Sequence, residues 1–96
     1  MPVPLTSRER AALKARAHAL EPVVHVGHAG LTDAVAAEID RALTAHELVK
    51  LRLEGDRHVR AKAAEAICAR ADASKVQQVG KVLVIWRPKP DEALAD

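Results

Sequence analysis

Aromatic side chains are almost missing. The 96 residues include one tryptophan, Trp86, and neither phenylalanine nor tyrosine. That disfavours nucleic-acid modules that stack bases on exposed rings. Cysteine is as scarce. Cys68 stands alone, so no internal disulfide can form and nothing points to secretion. The longest run of large apolar residues, Val82 to Trp86, falls far short of the ~20 residues that a membrane helix needs. The opening Met1-Pro2-Val3-Pro4-Leu5-Thr6-Ser7 lacks the basic start and apolar stretch of a signal peptide. A strong charge of one sign is missing too, since 15 Lys and Arg face 13 Asp and Glu, a net +2. These absences lead us to expect a soluble cytoplasmic protein that has no membrane partner.

What is present fits one small domain. Apolar residues make up 49% of the chain, with alanine the commonest of them. A chain of this size buries well under ~70% of its unfolded surface, so one core is the expectation. We place it over residues 1–88 and expect a mobile acidic tail over 89–96.

Thr6-Ser7-Arg8-Glu9 has the form of a capping box, in which two side chains satisfy the first free amides of a helix. Leu13, Ala17 and Leu20 share one face of that helix, and Arg10, Lys14 and His18 form the adjacent ridge. Pro22 is expected to end it. Val23-Val24-His25-Val26 is β-branched and reads as a buried strand. Gly27-His28-Ala29-Gly30 breaks that strand. Thr32 can then cap a second helix, with Asp33 at its positive end and Val35, Ile39, Ala42 and Leu43 as its apolar stripe. From Leu48 the period becomes two, with Val49, Leu51 and Leu53 opposite Lys50, Arg52 and Glu54.

Asp56 can cap a third helix whose expected face is Val59, Ala63, Ala66 and Ile67. Lys75 to Val79 and Lys81 to Arg87 are expected strands of a hairpin about Gly80. Both faces of the last strand are apolar, so it should lie inside the sheet. Together these elements predict an α/β fold, a single compact αβαβαββ domain with a four-stranded mixed sheet and three helices.

Two glycines bracketing two residues, after a strand and before a helix, suit a phosphate. Glycine lets another backbone approach, and the helix that follows offers free amides and a partial positive charge. The pattern is no nucleotide-triphosphate loop, because no Lys-Ser/Thr follows Gly30. It is no dinucleotide fingerprint, because a third glycine is missing at the required spacing. The low total charge is a cancellation. Residues 1–20 and 49–90 are basic, whereas 21–48 and 91–96 are acidic. Arg10, Lys14, Lys50 and Arg52 lie on common faces of their elements and are the best candidates to meet a polyanion.

Three blocks then match a known pattern. Ala17-His18-x-Leu20-x-Pro22-Val23-Val24-x-Val26-Gly27-x-x-Gly30-Leu31-Thr32 resembles the signature of the CRM domain, the chloroplast RNA splicing and ribosome maturation module. His46 to Lys50 and Gly80 to Pro88 resemble its later blocks. The likeness spans about residues 5 to 88 and is nearest to the single-domain bacterial (YhbY-like) members. It implies a fold related to the C-terminal domain of translation initiation factor three. It also implies binding to RNA, specifically ribosomal RNA in precursors of the large (50S) ribosomal subunit. Carried over to this chain, Gly27, His28, Ala29, Gly30, Leu31 and Thr32 form the RNA-contacting loop. Arg10, Lys14, His18, Lys50, Arg52, Lys81 and Arg87 are expected to flank it. No cofactor or small-molecule substrate is implied, and a monomer is expected.

Other chemistries find little support. His25-x-x-His28 is the sole close histidine pair, and no nearby Cys or carboxylate in the sequence completes a tetrahedral metal site. Cys68 falls mid-helix and reads as a small packing residue. No Ser-His-Asp pattern or carboxylate pair suggests catalysis. The competing non-RNA expectation is an adaptor that docks on ribosomal or assembly proteins through Asp33, Glu38 and Asp40 of the acidic second helix.

Overall fold

A computed structural model describes residues 4–89. The elements run α1 (Ser7–Ala17), β1 (Val24–Val26), α2 (Asp33–His46), β2 (Leu48–Leu53), α3 (Arg57–Ala71), β3 (Ser74–Val79) and β4 (Val82–Trp86). The four strands form one sheet in the order β1-β2-β4-β3. β1 and β2 are parallel, and the other two pairings are antiparallel. The expected αβαβαββ mixed fold is therefore present. The tail falls outside the described residues apart from Lys89.

The helix starts follow from local chemistry. Thr6 Oγ1 accepts from the Glu9 amide at 3.0 Å while Glu9 Oε1 accepts from the Thr6 amide at 2.9 Å, completing the box. Thr32 and Asp56 cap α2 and α3 by accepting from the amides of Val35 and Val59. Each such cap is worth about 1 kcal/mol.

The sheet separates two apolar layers. Against α2 and α3 it packs Val24, Val26, Val49, Leu51, Leu53, Leu83 and Ile85 with Ile39, Leu43, Ala64 and Ile67. Against α1 it packs Leu48, Val76 and Val84 with Leu13 and Ala17, and Trp86 lies half-buried at this layer's edge. β4 touches both layers and is interior, as its two apolar faces require. A bulge at Lys75/Gln77 shifts the β3 register. It turns Gln77 and Val79 to the α1 side, because an extra residue reverses the alternation.

Three local expectations need correction. α1 does not run to Pro22. It stops at Ala17, and His18, Ala19 and Leu20 tighten into i→i−3 bonds to Ala15, Arg16 and Ala17. Pro22 offers no amide to His18 O and keeps Glu21 out of helical angles, and the Val23 amide then donates to Lys50 O at 2.9 Å.

β1 is an edge strand, not a buried one. Val24 and Val26 are covered, but Val23 is 53% exposed and His25 points outward. A strand paired on one side has one face to cover it, so alternation returns.

In α3 the buried residues are Ala64, Ile67 and Ala71, while Val59 is exposed and Ala66 faces solvent. A helix of repeated alanines offers too little contrast between faces to fix its own rotation. Cys68 packs beside this face, and burial pushes its thiol above the usual value.

Candidate nucleic-acid interface

The glycine loop sits where β1 leaves the sheet. Glu54 N donates to Val26 O at 3.1 Å, which holds the end of β1 to β2. Gly30 N then donates to Gly27 O at 3.0 Å, closing a tight turn with His28 and Ala29 exposed at its corner. Thr32 N returns to Gly30 O at 3.1 Å, Leu31 packs inward, and α2 begins.

The two glycines have different reasons to be there. Gly30 adopts φ +73°, a conformation that side chains resist. Gly27 lies outside that region, and a Cβ built on it meets nothing within 4 Å. The fold itself therefore leaves Gly27 free.

Register decides which charges stand near the loop. His25 pairs with Arg52 and Val26 with Leu53, so the loop lies at the Leu53 end of β2. Arg52 pairs with Val82, which brings the Gly80–Lys81 turn to the same end. His25, Lys50, Arg52 and Glu54 all project on the α1 side, since they alternate with the buried Leu51 and Leu53. α1 covers part of that face. Lys14 and His18 on the helix and Lys50 on β2 line a groove of about 220 Å³, floored by Val82 and Val84. Arg10 is exposed on the same ridge one turn earlier.

Glu54 is the residue that sequence reasoning left without a role. His25 Nε2 lies 2.7 Å from Glu54 Oε2, Arg52 Nε lies 3.6 Å from that oxygen, and Lys81 Nζ lies 3.7 Å from Oε1. One carboxylate thus gathers three of the cationic or proton-accepting side chains beside the loop. The His25 hydrogen bond holds its carboxyl below the usual range; burial opposes this, and the charges of Lys81, His25 and Arg52 assist. Glu54 is 29 positions from His25, so nothing short of the parallel register could have revealed the pair.

Arg87 is placed apart from the others. β4 runs away from the loop, and Trp86 pairs with Leu48 at the far end of the sheet. The Arg87 guanidinium donates to Asp40 Oδ1 at 2.9 Å, Ala71 O at 2.8 Å, Asp40 O at 3.2 Å and Thr44 Oγ1 at 3.1 Å. Its side chain is 18% exposed. It fastens α2 and α3 to the end of the sheet and has no free donor face toward the loop.

The acidic second helix is partly neutralised from within. Asp40 is held by Arg87, and Asp33 Oδ1 lies 3.0 Å from Arg70 Nη2. Glu38 remains exposed. Among the described residues no group of three or more His, Cys, Asp and Glu could hold a metal ion, and no helix is long and apolar enough to cross a membrane.

Residues 5–87 match the model of the CRS1 / YhbY (CRM) domain. An RNA-binding protein of Haemophilus influenzae is 41% identical over 88 residues, covering 91% of this chain and 89% of the relative. A probable RNA-binding protein of Pseudomonas aeruginosa is 37% identical over 95 residues, covering 96% and 91%. The solution structure of a hypothetical protein from Staphylococcus aureus superposes with a TM-score of 0.80 at 25% identity, covering 90% of this chain and 91% of the other.

Proposed function

Because the chain belongs to the CRS1 / YhbY (CRM) domain family, we propose that it binds RNA and acts, without catalysis, as an assembly factor on precursors of the large ribosomal subunit. The relatives named as RNA-binding proteins support the first half of that reading. The observation that carries the mode of binding is the register. It brings the Gly27–Gly30 loop and the start of α2 to one end of the sheet, beside the α1 face that carries Lys14, His18, Lys50, Arg52 and Lys81. The loop backbone and the free amides of α2 take a phosphate, and the cations extend the contact along the strand.

Base identity plays little part in this mode. Trp86, the single Trp, Tyr or Phe ring, is half-buried at the edge of the α1 layer and lies at the end of the sheet away from the loop. Binding therefore rests on counterion release, and its logarithm falls linearly with the logarithm of salt.

The test measures affinity for a structured RNA hairpin by fluorescence anisotropy across a salt series, alongside the thermal midpoint of each variant. Gly27→Asp adds a negative charge at a position free of steric demand, and it should weaken binding while leaving the midpoint unchanged. Lys14→Ala with Lys50→Ala should lower the salt slope by about two. Unchanged affinity in both variants would overturn the proposed interface. Gradient sedimentation with crosslinking should place the protein on large-subunit precursors. Recovery in free fractions alone would overturn the assembly role.

A further inference from the structure

A second cluster of cations lies across the β3–β4 hairpin tip from the glycine loop. Arg57, Arg60 and Ala61 of α3 with Lys75, Gln78 and Gly80 of the hairpin line a depression of about 420 Å³. Three of these six residues are cations and none is acidic. Lys75 and Gln78 pair with Ile85 and Leu83, so they project on the α3 side, opposite to Lys50 and Arg52. Gly80 borders this depression, while its neighbours Val79 and Val82 border the groove on the α1 side. Lys81, in the turn itself, stands between the two. The hairpin tip thus joins two basic surfaces into one path around the edge of the sheet.

The first turns of α1 and α2 carry Glu9 and Asp33, the acids that favour the positive end of a helix. The first turn of α3 carries no acid beyond its N-cap Asp56, and Arg57 and Arg60 stand there, as Arg8 and Arg10 do in α1. Arg60 Nη1 donates to Gly55 O at 2.6 Å, which holds that side chain at the rim. The side chains of Arg57 and Lys75 are exposed.

We infer that this depression is a second phosphate-binding site, which takes the backbone of the same RNA where it passes the hairpin tip. Three cationic side chains with glutamine at the floor suit a phosphodiester. They suit an acidic peptide less, because Ala61 is the one apolar side chain in the lining. The inference rests on the RNA-binding reading above and extends its footprint to the opposite face of the sheet.

The test uses the whole chain, with Arg57→Ala and Lys75→Ala combined and Arg60 left in place to keep its bond to Gly55. Affinity is measured against two probes, a short single-stranded RNA and a longer RNA hairpin with single-stranded flanks, across a salt series. Melting temperature serves as the control for folding. The expected result is a salt slope lower by about two for the longer RNA, with the short RNA bound as by the unsubstituted protein. An unchanged slope for the longer RNA, while Gly27→Asp still weakens binding, overturns the second site and leaves the loop interface standing. Failure of the unsubstituted protein to bind either RNA overturns the functional reading, and the second site with it.

Discussion

The two faces of the sheet are built to different standards. The α2/α3 face is covered by two helices, and Leu51, Leu53, Ile67, Leu83 and Ile85 are each within 1% of full burial. The α1 face is covered by one short helix over Leu48, Val76 and Val84, and the rest of it carries Lys50, Arg52, Glu54 and His25. Both faces contain an arginine from a strand or its end. On the first, Arg87 spends its donors on the fold; on the second, Arg52 meets one carboxylate and stays 55% exposed. Complete cover confines a partner to the rim of that face, at the hairpin tip, and partial cover leaves charges across the sheet where a partner can reach them. The face that is weaker as a core is the better interface.

The sharpest way to break that contrast is a matched truncation. Leu51→Ala, on the closed face, should cost about 3 kcal/mol of unfolding free energy, because the cavity cannot collapse among well-packed neighbours. Leu13→Ala, under the single helix, should cost clearly less, since Leu13 sits at the 7% exposed margin of its layer. Equal losses in urea denaturation would remove the distinction.

Next in size, Arg87→Ala should lose about 2 kcal/mol, as a charged donor leaves Ala71 O and Asp40 O without it. RNA affinity measured below the melting transition should not change. A loss of affinity with stability intact would move Arg87 into the interface.

The smallest effect concerns acid. Glu54 is held below its ordinary value of 4.5, chiefly by the His25 hydrogen bond. The folded state therefore favours the ionised form. Its contribution is complete above that ordinary value and is lost as pH falls through the lower folded-state value. From pH 7 to about pH 3, the unsubstituted protein should lose more stability than Glu54→Gln. Parallel curves would detach Glu54 from the stability of the loop end.

Elements were legible wherever a local rule acted with little competition. Thr6, Thr32 and Asp56 announce their helices, because a short oxygen-bearing side chain before an apolar stripe has few other uses. The alternation from Leu48 and the doubly apolar β4 announce their strands and even the interior place of β4. Legibility failed where the sequence had no contrast. The alanine-rich α3 gave no reliable face, and α1 ends at Ala17, several residues before Pro22. In the site, the glycine loop and the cations were legible as a list. Their grouping was not, since Arg87 belongs to the same charge block as Lys50, Arg52 and Lys81 yet lies at the other end of the sheet.

The sequence by itself determined a single α/β domain, its helix starts, a glycine loop before a helix, and a surface whose low net charge hides basic blocks. These follow from interactions within a few residues, which are the same in any fold that contains them. Tertiary structure alone decided that His25 meets Glu54, that Lys14 faces Lys50, that Arg87 is consumed by the core, and that Arg57 and Lys75 share a depression. Each of those pairings depends on strand order and register. They are set by how two apolar layers close on a sheet, and they leave no mark in the spacing of the residues they join.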